Sequence, residues 1–309
     1  IAKICKCDLV EIDLNNADKI FTKLGKSRNF FLYAKAKCSD VNLVEKIFGS
    51  ADIFGVIHLA GLKSVYDSVI EPLHYYSENI FEAISLLTQM KRYKCKNLIF
   101  SSSASVYGSI TKSPVSEDDD IAPLSPYAKT KHIIEQICSD LAASDPNWRI
   151  VALRYFNPVG AHDSNLIGEN FESNPPNLMP VLMAEALSNS PSIRIFGSDY
   201  DTKDGTAIRD YIHIMDLAEG HVCAVDNNEF GFEVFNLGTG TGYSVKELVN
   251  SFSKATGVKF EIQYQERREG DIASSIASVE KARSKLGWTA QRDIESMCRS
   301  AYMWAKHKH

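Results

Sequence analysis

At 309 residues with 44% hydrophobic side chains, the chain is long enough to bury a large core and to divide into two domains. A formal net charge of −5 argues against a general nucleic-acid or membrane surface, and no apolar run approaches the roughly 20 residues needed to span a bilayer. Seven cysteines, odd in number and scattered, fit reduced thiols in a cytosolic protein rather than a disulfide framework. Cys5-Lys6-Cys7 has no second pair to complete a metal site, so no metal is expected.

In chain order, residues 8–13 predict a short strand closing on Asp13, 16–24 a helix, 30–36 a second strand and 41–48 a second helix. The apolar run 53–60 predicts a buried strand ended by Gly61. A long amphipathic helical region is expected over 68–92, a strand at 97–101, a helix over 126–142 and a strand over 149–155. Strands alternating with helices imply parallel β-α-β units and a doubly wound, Rossmann-like sheet, an α/β fold. Ligands of such sheets sit at the carboxyl ends of the strands. Asp13, Gly61, Ser101 to Ser103 and Tyr155 to Asn157 fall at such ends and are expected to converge on one crevice.

Beyond Asn157 the character changes. Residues 158–176, rich in Gly, Pro, Asn and Asp, read as a connection, followed by a helix over 178–187 and short strands at 193–197, 233–237 and 260–265, with helices between them. Ser244-Val245-Lys246-Glu247 is a capping box opening one of those helices. The run Gly238-Thr239-Gly240-Thr241-Gly242 matches neither dinucleotide nor Walker spacing and reads as a strand-to-helix turn.

The chemistry is expected in Ser125-Pro126-Tyr127-Ala128-Lys129-Thr130-Lys131. Ser125 before proline reads as an N-cap with Pro126 at the first helical position. Tyr127 and Lys131 then share one helix face, where an ammonium can stabilise a tyrosinate. Tyr33 and Lys37 have the same spacing on a predicted strand, so spacing alone does not identify the pair.

A dinucleotide-binding domain opens with a strand and a glycine-rich turn whose amides hold the pyrophosphate. Nothing before Asp13 has that form, although Asp13 stands where a ribose-binding acid would lie. The expectation is that roughly 20 to 25 upstream residues, carrying the first strand and glycine loop, belong to the natural protein and precede Ile1.

The ordered set Leu59 to Lys63, Ser101 to Gly108, Ser125 to Lys131, Leu153 to His162, Asn177 to Pro180, Asp204 to Thr206, Arg209 to His213 and Arg267 to Asp271 resembles the UDP-galactose 4-epimerases of the extended short-chain dehydrogenase/reductase family over essentially the whole chain. The resemblance implies Tyr127 as base, Lys131 as its electrostatic partner and nicotinamide-ribose ligand, and Ser103 as a hydrogen-bonding group at the sugar O4. It implies Asp13, Leu59, Ala60, Gly61, Lys63, Asn79, Ser103, Tyr127, Lys131 and Phe156 around NAD. It sets Lys63, Ser103, Tyr127, Asn157, Asn177, Leu178, Arg209, Arg268 and Asp271 around a UDP-hexose, Ile195 and Phe196 near the uracil, and Ser275 as the residue gating the sugar 2-substituent. A small Ser275 implies that N-acetylhexosamines are accepted too.

The implied domains are an NAD-binding one over 1–156, with 207–238 returning to it, and a smaller α/β UDP-sugar-binding one over 157–206 and 239–309. A homodimer through the helical regions 68–92 and 126–142 follows from the same resemblance. Three departures stand out. Lys37 or Asp40 occupies the place of the family's adenine-contacting acid, Phe81-Glu82-Ala83 replaces the usual Asn-Gly-Thr, and the segment after Asp13 is short. Two other readings compete: an NAD-free nucleotide-sugar-binding homologue, and a nucleotide-sugar 4,6-dehydratase. Dehydratases resemble this chain but carry Thr-Asp-Glu where Ser103-Ala104-Ser105 stands, and elimination of water needs that acid and base.

Overall fold

The computed structural model describes residues 9–13, 31–109, 112–171, 177–227, 229–268 and 270–308. Among them, strands β1 (Leu9–Asp13) and β2 (Phe31–Lys35) pair in parallel, with Asp13 opposite Lys35. β3 (Val56–His58), β4 (Asn97–Ser103), β5 (Arg149–Tyr155) and β9 (Gly231–Leu237) form a second sheet in the order β3-β4-β5-β9, with β3 and β4 parallel. The α/β, Rossmann-like expectation holds. The predicted helix over 16–24 lies outside the described residues, as do Cys5 and Cys7.

The chain divides into two compact units. One comprises residues up to 108 with 121–154 and 221–235; the other comprises 109–120, 155–220 and 236–309. The returning segment is shorter than 207–238 because β8 (Ile208–His213) pairs with β6 (Asn157–Val159), β10 (Gly242–Ser244) and β12 (Ser274–Ser275) inside the second unit. β7 (Ser192–Phe196) and β11 (Glu261–Gln265) add a parallel pair there.

In the first unit the helix Glu82–Arg92 presents Ala83, Leu86, Leu87 and Met90 at helical spacing, and Pro126–Ser144 presents Ile134, Cys138 and Ala142. These pack with Leu98, Phe100, Trp148, Ile150 and Ala152 into one core. None of the five described cysteines is joined in a disulfide. The core of the second unit gathers Met179, Leu182, Met183, Ile193, Ile195, Leu248, Phe252, Met297 and Trp304.

Three boundaries differ from expectation for physical reasons. The region 68–92 is broken into Val65–Ile70, Pro72–Tyr76, a π-helical turn Ser77–Phe81 and Glu82–Arg92. Pro72 lacks the N–H needed to continue the first helix. The strand expected over 53–60 shrinks to three residues, since Leu59 and Ala60 are exposed rather than buried. The connection 158–176 begins inside a strand, because Asn157 to Val159 pair with Tyr211 to His213.

Candidate active site

Ser125 caps the helix Pro126–Ser144 as expected: its Oγ accepts from the Ala128 amide at 3.2 Å, and Pro126 follows at the first position. This start places Tyr127 in the first turn and Lys131 one turn later. Both side chains meet the end of β4. The Lys131 ammonium, 5% exposed, donates to the Ser101 carbonyl at 2.6 Å, and its Nζ lies 5.0 Å from the Phe100 ring centroid and 5.9 Å from that of Tyr127. Ser103 Oγ accepts from the Ser105 amide at 3.2 Å and the Ser105 hydroxyl at 2.9 Å, so its own proton is left to donate. Tyr127 feels Ser103 through a side-chain hydrogen-bonding interaction that favours its phenolate.

The electrostatics refine the sequence reading. Burial raises the Tyr127 phenol above its ordinary value; Ser103's hydrogen bond opposes this and Tyr75 adds to it. Burial pulls the Lys131 ammonium down to about 8, with the Glu135 carboxylate opposing. Lys131 and Tyr127 do share one face, yet the chain's own groups hold Tyr127 as a phenol at neutral pH, and its ionisation calls for further positive charge nearby. His58, at the end of β3, is brought down to about 4 by burial and then by Lys131, so it is neutral here.

The turn after β3 is tied to the same helix. Asn79 is 3% exposed within the π-helical turn, an irregularity that turns its amide inward. Its Oδ1 accepts from the Leu62 amide at 2.8 Å, while its Nδ2 donates to the Leu62 carbonyl at 3.1 Å and Thr130 Oγ1 at 3.0 Å. Thr130 in turn donates to the Tyr127 carbonyl at 2.7 Å. Gly61 has φ +148°, and a Cβ there would lie 3.1 Å from Asn79 Oδ1. A side chain would fill this cradle and strain the backbone. Leu59, Ala60, Gly61 and Lys63 are exposed beside it.

These features fit a dinucleotide. Lys131 has three donors and the Ser101 carbonyl as its hydrogen-bond acceptor among the described residues, leaving protons suited to ribose hydroxyls. Asp13 ends β1 as expected, but its side chain lies outside the described residues. At the place of the adenine acid, Lys37 pairs with Glu78 at 2.8 Å, and Asp40 caps the helix Val41–Ser50 through the Leu43 amide at 3.1 Å.

The second unit holds the other candidates. Arg209 donates to the Ile208 and Ile272 carbonyls at 2.9 Å each and to Asp271 at 3.2 Å. Arg268 stacks over the Phe196 ring at 4.0 Å. Asn157 donates to the Asp210 carbonyl at 3.0 Å, and Phe156 is buried with its amide bonded to the Leu237 carbonyl at 3.1 Å. Asn177 is an exposed N-cap without a side-chain capping bond, and Leu178 packs on the core. Ser275 is buried on β12, in register with Arg209. Ile195 differs from expectation: its side chain is fully buried in the core, so only its backbone is available to a ligand.

Sequence reasoning missed Asp210. Its buried carboxylate accepts from the amides of Thr239, Gly240 and Ala277 at 2.8, 2.9 and 3.1 Å and from the Thr239 hydroxyl at 2.7 Å. It therefore occupies two amides of the Gly238 to Gly242 turn, those of Thr239 and Gly240, while the Thr241 amide bonds to Thr239 Oγ1. A Cβ on Gly238 would meet Asp210 Oδ2 at 2.5 Å, which explains that glycine. Glu135 was also missed, although its place four residues after Lys131 was a legible signal.

The family model described as GDP-mannose 4,6 dehydratase matches residues 9–301. UDP-glucose 4-epimerase 2 of Arabidopsis thaliana is 47% identical over 286 residues, 92% of this chain and 82% of the relative. UDP-glucose 4-epimerase of Bacillus subtilis is 45% identical over 282 residues, covering 91% and 82%. A crystal structure of UDP-glucose-4-epimerase from Stenotrophomonas maltophila, with bound NAD and formylated UDP-arabinopyranose, matches with a TM-score of 0.96 and 38% identity over 99% of this chain and 93% of that one.

Proposed function

Because this chain belongs to the UDP-glucose 4-epimerase family of extended short-chain dehydrogenases/reductases, we propose that it interconverts UDP-glucose and UDP-galactose with tightly bound NAD. The observation that carries this is the meeting of Ser103, Tyr127 and Lys131 at the end of β4.

Bound NAD supplies reversible oxidation at the sugar C4 and a positive nicotinamide that favours the Tyr127 phenolate. Tyr127 takes the proton of the 4-hydroxyl and later returns it to the 4-keto sugar. Ser103, its acceptor sites filled by Ser105, donates to the sugar O4. Lys131 holds the nicotinamide ribose through its remaining donors and keeps positive charge near Tyr127. Asn79 and Gly61 shape the turn against which the dinucleotide lies. Arg209 and Arg268 meet the diphosphate with forked hydrogen bonds, while Asn157, Asn177, Phe196 and the Ile195 backbone hold the sugar and uracil. The anchored nucleotide lets the 4-keto sugar present its other face.

Dehydration is disfavoured because Ala104 and Ser105 supply no carboxyl acid or base, and Ser105 is engaged with Ser103. The test is conversion of UDP-galactose by the full-length protein with NAD. UDP-glucose as the product supports the reading, and a 4-keto-6-deoxy product or binding without turnover contradicts it.

Ser275 is proposed to admit a 2-acetamido group. Ser275→Tyr is expected to cut kcat/KM for UDP-N-acetylglucosamine at least about tenfold relative to UDP-glucose; an unchanged ratio in a competition assay counts against that role. No helix among the described residues is long and apolar enough to cross a membrane. A cytoplasmic homodimer is proposed as well, supported by exposed Tyr66, Val69, Leu73, Phe81 and Ile84 on the helical region 65–92.

A further inference from the structure

Behind the Tyr127 and Lys131 pair lies a buried charged group that the mechanism above does not use. Glu135 is 3% exposed, Arg154 4% and Ser102 1%. Arg154 grips Glu135 in a fork, Nε to Oε1 at 3.0 Å and Nη2 to Oε2 at 2.8 Å. Glu135 Oε1 also accepts from Ser102 Oγ at 2.5 Å, and Arg154 Nη1 donates to the Tyr107 hydroxyl at 2.9 Å.

A buried ion pair is a poor source of net stability, because desolvation offsets its attraction. Its connections suggest another use. Glu135 lies on the helix that carries Tyr127 and Lys131, Ser102 on the strand that ends in Ser103, and Arg154 on the neighbouring strand β5. The residues on either side of Ser102 are those that reach the chemistry: Ser101 through its carbonyl on Lys131, and Ser103 through its hydroxyl on Tyr127. The Arg154 fork fixes the rotation of Glu135, so the carboxylate presents one oxygen to Ser102.

We propose that Glu135 is a positioning residue for epimerisation: through Ser102 it sets the end of β4 against the Tyr127 and Lys131 helix, so that the Ser101 carbonyl holds the Lys131 ammonium and the Ser103 hydroxyl meets the reacting oxygen. The inference rests on the function proposed above, and Ser102 is its most direct probe, since Ser102→Ala removes the bond while leaving the ion pair intact.

In the NAD-loaded enzyme, Ser102→Ala is expected to lower kcat about tenfold, the weight of one buried hydrogen bond to a charged group, in protein that remains folded at the assay temperature and with KM for UDP-glucose unchanged. Ser102→Thr, which keeps the hydroxyl, restores kcat. Where Glu135→Gln folds, adding Ser102→Ala to it causes no further loss, because both changes act through one bond. Unchanged kcat in Ser102→Ala, or a loss seen only in melting temperature or KM, overturns the proposal. Crystal structures of both Ser102 variants give a readout independent of turnover. The 2.6 Å bond from Lys131 to the Ser101 carbonyl is expected to break in Ser102→Ala and persist in Ser102→Thr. Its persistence in Ser102→Ala overturns the positioning role, whereas an inactive wild type overturns the proposed function instead.

Discussion

Tyr127→Phe is expected to lose epimerisation by about 10² to 10⁴-fold in kcat, the range of a removed general acid-base group, while UDP affinity stays close to wild type. The phenol oxygen is the only atom lost, and the groups proposed to hold the diphosphate and uracil, Arg209, Arg268 and Phe196, belong to the second unit. Because burial raises the phenol, the wild-type rate is expected to rise with pH until Tyr127 ionises in the loaded enzyme, and Tyr127→Phe should lack that limb. Steady-state kinetics over pH, with UDP binding measured by calorimetry, check both parts. Near-normal turnover would remove Tyr127 from its role.

Lys131→Met is expected to separate stability from activity. Burial brings the ammonium to about 8 in the folded chain, below its ordinary value. The folded state therefore binds this proton more weakly than the unfolded state. The resulting cost, about 3 kcal/mol at neutral pH, is fully present below about pH 8 and disappears as pH rises toward the unfolded value near 10.4. Methionine fills similar space without charge, although it leaves the Ser101 carbonyl without its donor. The variant should melt no lower than wild type at pH 7, lose roughly 10²-fold or more in kcat, and retain NAD less well. A large fall in melting temperature with turnover preserved would make Lys131 a structural residue.

How far the site was legible depended on how local its determinants are. The helix Pro126–Ser144 could be read because its cap, its proline and the Tyr127 to Lys131 spacing all lie within seven residues. β5 was expected over 149–155 and occupies those residues, the apolar run Ile150 to Leu153 being buried together with Arg154. β8 was not expected, since Arg209 and Asp210 interrupt its apolar pattern. Asp210 is tolerated in the interior only because amides from residues 239, 240 and 277 converge on it. Glu135 escaped notice similarly, its partners Ser102 and Arg154 lying 33 and 19 residues away.

The break at Pro72 is another kind of miss. The amphipathic pattern continues in sequence across 68–92, but Pro72 removes the N–H that the first helix needs to run on. The electrostatic reading changed most. Shared-face spacing pointed to an ammonium that can stabilise a tyrosinate, whereas burial dominates both groups, and burial cannot be judged from the order of residues.

The central claim is that oxidation and reduction occur at one sugar carbon within a single active site, with no net use of NAD. UDP-glucose carrying deuterium at C4, incubated with the purified full-length enzyme, tests this most directly. The account predicts UDP-galactose with deuterium retained at C4 and no net cofactor consumption. Loss of the label to solvent, or appearance of a 4-keto-6-deoxy sugar, would contradict it.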